Sequence, residues 1–165
     1  MPQEMKHQEA LRIAVETEKE LICYYRRAAE MVKNEDAKRV FARLAKDKEE
    51  NAGQFFRLYK GDDFGTLEEF VNQPCTLNAA ALKELNSLGD VEVKERRARE
   101  IAMEKEAQLE KTLLGKAKNI IDPGVRTIFE QMAKKSRDHY QIIESEYARK
   151  MGMPHETDIG TFVRE

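Results

Sequence analysis

The chain has no tryptophan, only two cysteines, and just four prolines and eight glycines among its 165 residues. Cys23 and Cys75 form no CxxC pair, which excludes a zinc-ribbon type of metal knuckle within the chain. Each cysteine reads as a buried free thiol. No uninterrupted apolar run approaches the roughly 18 residues that a membrane-spanning helix requires, and a membrane partner is not expected. The amino-terminal MPQEMKHQEA has no apolar core of a secretory signal, so the expected location is the cytoplasm. No basic stripe is present either: the net charge of -2 and pI near 6.0 come from interleaved acids and bases, and nucleic acid is not an expected partner. A Ser-His-Asp arrangement, a phosphate loop and a dinucleotide fingerprint are likewise missing.

What remains is a composition of 41% hydrophobic and 36% charged residues, ordinary for a helix-rich domain with one core. No Gly or Pro falls within residues 8–33. Residues 8–33 predict a first helix rich in Glu, Lys, Arg, Ala and Leu. Asn34 offers an N-cap oxygen for a second helix over 35–59, which Gly61 ends. Residues 60–89 are denser in Gly, Pro, Asn and Asp, with short helical turns over 67–71 and 78–85, and predict a crossover strap. Asp90 caps a third helix to about residue 119. Asp122 and Pro123 supply the N-cap and N1 proline of a fourth, ending near residue 151, with 151–165 a tail. The expectation is an all-α, up-down four-helix bundle over 1–150, two helical hairpins joined by the strap.

Apolar residues recur at steps of three and four, and each stripe is polar at its centre. The first runs Leu11, Val15, Glu18, Ile22, Tyr25, Ala29, Val32, and the second Ala37, Phe41, Leu44, Lys48, Asn51, Phe55, Leu58. The third runs Met103, Glu106, Leu109, Leu113, Ala117, Ile120, and the fourth Val125, Phe129, Met132, Ser136, His139, Ile143. Sliding the chain on itself at an offset of 88 aligns residues 11–60 with 99–148 without a gap. Cap then falls on cap (Asn34 on Asp122), Phe41 on Phe129, Ala45 on Ala133 and Tyr59 on Tyr147. Glu18 falls on Glu106, Lys48 on Ser136, and Asn51 on His139, so a pseudo-twofold bundle brings six polar positions together at its middle.

The segments AVETEKELICYYRRAAE, RVFARLAKDKEENAGQFFRLY, AMEKEAQLEK and TIFEQMAKKSRDHYQIIESEY resemble the rubrerythrin-like branch of the ferritin-like superfamily over residues 8–150. That resemblance implies a ferritin-like bundle in which each half supplies a Glu from its first helix and an ExxH from its second, together binding two irons that react with dioxygen or peroxide or handle ferrous iron. Carried over by position, the first-helix ligands are Glu18 and Glu106, and Tyr25 matches a family tyrosine near the metal. The first ExxH stands here as Lys48-Glu49-Glu50-Asn51 and the second as Ser136-Arg137-Asp138-His139, so Lys48, Asn51 and Ser136 are degenerate ligand positions and Glu18, Glu106 and His139 remain. A two-residue slip in the repeat would substitute Glu104 for Glu106. The family's rubredoxin domain is absent from this chain, and its electron path then depends on another protein.

Glu18 and Glu106 contribute two negative charges, which Lys48 and a protonated His139 can balance without a metal. Since an unpartnered buried charge costs several kcal/mol, Lys48 reads as an internal counter-ion, with Asn51 and Ser136 completing a hydrogen-bond network. The expected protein is therefore a non-catalytic, metal-free member of the family with no cofactor. The alternative is one divalent ion (iron, zinc or manganese) held by Glu18, Glu106 and His139 in an oxidoreductase-like protein of iron handling or peroxide defence. Phe55, Phe56, Leu58 and Tyr59 read as core, with a dimer seam as the alternative, and a homodimer or an unidentified protein is the expected partner. His7 and His155 read as exposed terminal histidines, and charge runs such as VKERRARE as solvated helix faces.

Overall fold

A computed structural model describes residues 3–75 and 80–150. Every regular element among them is helical: α1 (Gln3–Met31), α2 (Glu35–Leu58), α3 (Leu67–Asn72), α4 (Ala80–Ser87), α5 (Val91–Ala117) and α6 (Pro123–Lys150). The tail, with His155, lies outside the described residues. α1 packs mainly on α2 and α5 on α6, so the two long hairpins of the repeat are the two halves of the bundle. The strap between them carries α3 and α4. No helix among the described residues is long and apolar enough to cross a membrane.

The caps behave as the repeat requires. Asn34 Oδ1 accepts the Ala37 amide at 3.0 Å, and Asp122 Oδ1 accepts the Val125 amide at 3.0 Å, the same turn in both halves. Asp90 Oδ1 accepts the Val93 amide at 2.9 Å and starts α5. Tyr59 and Tyr147 also repeat a contact with altered chemistry: Arg12 donates to the Tyr59 hydroxyl at 3.2 Å, whereas the Tyr147 hydroxyl donates to Glu100 at 3.2 Å. Arg12 and Glu100 are themselves 88 residues apart.

The four predicted stripes are buried except at Ala29, Leu58 and Met103, which are half-buried, and Ala28 takes the core position beside Ala29. Phe55 is fully buried against Phe129, with ring centroids 5.1 Å apart. The strap lays Phe64 and Phe70 over Phe56 and Tyr59, so this apolar end is covered within the chain rather than left as a seam.

Four expectations need correction. α2 ends at Leu58 with an extended Tyr59, ahead of Gly61; the left-handed glycine is Gly65 (φ 72), inside the strap's turn, where a Cβ would meet the Glu69 side chain. The VKERRARE run is not wholly solvated. Glu95 is buried because its carboxylate accepts the Lys33 and Asn34 amides at 2.9 and 2.8 Å, and Arg99 is buried 3.6 Å from buried Glu146. His7 is half-buried, with Nδ1 enclosed. Lastly, Cys23 and Cys75 are not free thiols but a disulfide, because the strap returns along α1 and brings their Cα atoms within 5.6 Å.

Candidate functional site

Each half of the bundle delivers one glutamate from its first helix and two polar residues from its second to a common centre. Glu18, Lys48, Glu106 and Ser136 are fully buried there, with Asn51 and His139 nearly so. Glu104, two residues from Glu106, is exposed and pairs with Arg97, so the unslipped repeat is the correct register.

The Lys48 ammonium donates to Glu106 Oε1 at 2.9 Å and reaches Ser136 Oγ at 3.5 Å. Glu18 Oε2 is 3.6 Å from the same nitrogen, an ion-pair distance longer than a good hydrogen bond. The Tyr25 hydroxyl donates to Glu106 Oε2 at 2.6 Å. His139 sits between two carboxylates, with Nδ1 3.4 Å from Glu106 Oε2 and Nε2 3.3 Å from Asp47 Oδ2. Both Glu18 oxygens, Asn51 Nδ2 and His139 Nδ1 are enclosed without a hydrogen-bond partner.

The two carboxyls are thereby made unequal. Burial pushes Glu18 up to about 7, with Lys48 opposing and the neighbouring Glu106 reinforcing the rise. Burial also pushes Glu106 up, but Lys48, His139 and the Tyr25 hydrogen bond outweigh it and hold this carboxyl below its ordinary range. Tyr25 is raised well above the usual phenol value, by burial first and then by Glu106, so it stays a proton donor. Lys48 and Glu106 form the ionised pair, while Glu18 retains a proton well above the usual carboxyl range.

Five of the six positions aligned by the repeat (Glu18, Lys48, Glu106, Ser136 and His139) meet in one set of contacts with Tyr25, whereas Asn51 is buried on α2 with its Nδ2 unbonded and does not complete the expected hydrogen-bond network. Asp47 was missed: it lies one residue from Lys48 on a partly exposed face, and only the approach of α6 shows that it meets His139. The site does not fit a pair of irons. Carboxylates are missing at Lys48 and Ser136, an imidazole is missing at Asn51, and a cation stands between the two remaining glutamates. Among the described residues no group of three His, Cys, Asp or Glu side chains is arranged to hold a metal ion.

The family model described as Rubrerythrin matches residues 9–147, which takes in most of α1 and α6 and all of α2, α5 and the strap. No curated protein and no solved structure matches the chain.

Proposed function

The chain belongs to the rubrerythrin family, within the ferritin-like superfamily, and we propose that it is a non-catalytic, metal-free member in which Lys48 takes the structural place of the metal. The observation that carries this reading is the buried Lys48 ammonium, 2.9 Å from Glu106 and 3.6 Å from Glu18. A divalent ion held by those carboxylates would lie against a fixed positive charge, and its affinity falls accordingly. The useful surface of such a module lies outside the core, and a homodimer is part of this reading; Leu114 and Ile121 are apolar and exposed where α5 gives way to α6. Light scattering tests the dimer.

The metal-free state is tested by incubating the purified chain with ferrous iron, manganese or zinc without oxygen, removing excess ion and measuring bound metal. Substoichiometric metal is expected. One tightly held ion per chain, with anomalous scattering at Glu18, would overturn it.

A second reading is favoured by the Glu18 oxygens and His139 Nδ1, which are buried without a hydrogen bond. In it, Glu18, Glu106 and His139 bind one iron, zinc or manganese ion once Lys48 loses its proton or swings aside, and the protein works in iron handling or peroxide defence. The same measurement separates the two readings, because only the second gives one ion per chain that is lost in His139→Ala.

A further inference from the structure

The Cys23–Cys75 bond lies outside both apolar core clusters, on the wall of a cleft of about 730 Å³ between α1, the strap and α5. Lys19, Glu20, Tyr24, Phe64, Pro74 and Lys105 line the same cleft. Cys75 is the more accessible residue of the pair: it is half-buried on the strap, whereas Cys23 is buried on α1 at 9% exposure.

The disulfide is also not the strap's sole attachment. Lys19, one turn before Cys23, donates to the carbonyls of Val71 and Gln73 at 2.7 and 2.8 Å. Arg26, one turn after it, donates to the Val71 carbonyl at 3.0 Å. Phe70 and Val71 are buried beneath these contacts. One face of α1 thus grips the strap through residue 73 by bonds that do not depend on sulfur, and a strap so held can survive opening of the disulfide. Lys19 also holds positive charge one turn from Cys23, where a departing thiolate would form.

We propose that Cys23–Cys75 is a reactive disulfide, opened by a dithiol reductant that enters the cleft and attacks Cys75 Sγ, while the strap stays held through Lys19 and Arg26. In the first step a thiolate of the dithiol forms a sulfur–sulfur bond to Cys75 as the Cys75–Cys23 bond breaks, and Cys23 leaves as thiolate and takes up a proton. In the second step the other thiol of the reductant, as thiolate, attacks its own mixed-disulfide sulfur and displaces Cys75. The sum is one cyclic disulfide of the reductant and two cysteine thiols, a two-electron reduction of the protein balanced by oxidation of the dithiol. Nothing here depends on whether the core binds metal.

The test uses the oxidised full chain and dithiothreitol without denaturant, quenched with iodoacetamide. Two alkylated cysteines with retained helicity are expected; alkylation that requires urea would overturn the proposal. With a monothiol in place of the dithiol, peptide mapping should find the adduct on Cys75, and an adduct on Cys23 would contradict the direction of attack. Ala80→Trp, at an exposed position on the cleft wall, should slow reduction, and an unchanged rate would refute the cleft as the route. Hydrogen exchange in α1 and α2 should stay protected on reduction, because Lys19 and Arg26 still hold the strap; loss of that protection would show that the disulfide cannot open in the folded chain.

Discussion

Lys48 and Ser136 stand 88 residues apart in the chain and 3.5 Å apart in the bundle. Since 88 is the offset of the internal repeat, the contact joins equivalent positions of the two halves and places the pseudo-twofold axis between them. The halves differ where they meet. One supplies a cation and the other a neutral hydroxyl, and this breaks the symmetry of the two glutamates: Glu106 takes the short bond to Lys48 and Glu18 the longer approach.

Lys48→Ala should therefore be strongly destabilising, by about 3–5 kcal/mol, because Glu106 is left buried with its charge uncompensated. Urea denaturation monitored by circular dichroism measures this. A cost below about 0.5 kcal/mol, the range of ordinary surface substitutions, would show that Lys48 is not the counter-ion.

Glu18 sets a pH dependence of defined sign. Its folded value of about 7 exceeds the ordinary 4.5, so between those values the folded chain keeps a proton that the unfolded chain has released. Stability then falls as pH rises through this window, by up to roughly 3 kcal/mol for a shift of this size. Glu106, held low, acts oppositely: its contribution is present above the unfolded carboxyl value and is lost as pH falls through its folded value. Comparing the wild type with Glu18→Gln from pH 4 to 8 isolates the first effect. Parallel stability curves for the two proteins would show that Glu18 does not retain its proton.

Tyr25→Phe keeps the ring against Phe41 and Tyr24 but removes the donor to Glu106 Oε2. A hydrogen bond to a buried charged group contributes about 1.5–3 kcal/mol, and a loss of that size is expected in chemical denaturation. A neutral result would mean that the carboxylate finds an equal partner in Lys48 and His139 alone.

The double change Lys48→Glu with Ser136→Glu replaces the cation and the hydroxyl by carboxylates and gives four glutamates and His139 around one centre. Such a set suits hard or borderline divalent ions, and the variant should bind iron or manganese stoichiometrically under conditions where the wild type does not. Elemental analysis of the two proteins side by side decides this. Equal metal content would mean that the lysine is not what sets metal affinity.

Four stretches of amphipathic helix, their caps and the repeat were legible in the chain because they rest on local chemistry: a 3.6-residue period, a side-chain oxygen three residues before an amide, and identities at one offset. Glu18, Lys48, Asn51, Glu106, Ser136 and His139 could be placed at one centre by the same means, since a polar residue on an apolar stripe marks itself. Which partner each takes is a different kind of fact. The unequal carboxyls depend on differences of under 1 Å in distance to one ammonium, which helix packing decides. Asp47 meets His139, and Glu95 and Arg99 leave a charged run for the interior, only because α6 and the α1–α2 turn come to them. The disulfide depends most fully on tertiary structure: 52 residues separate Cys23 from Cys75, and no local pattern tells two distant thiols that a strap will fold back along α1. Sequence alone determined the helices and the stripes they bury, because periodicity is a local average; the tertiary structure decided the pairings and which charged residues join the interior, because both depend on where distant segments come to rest.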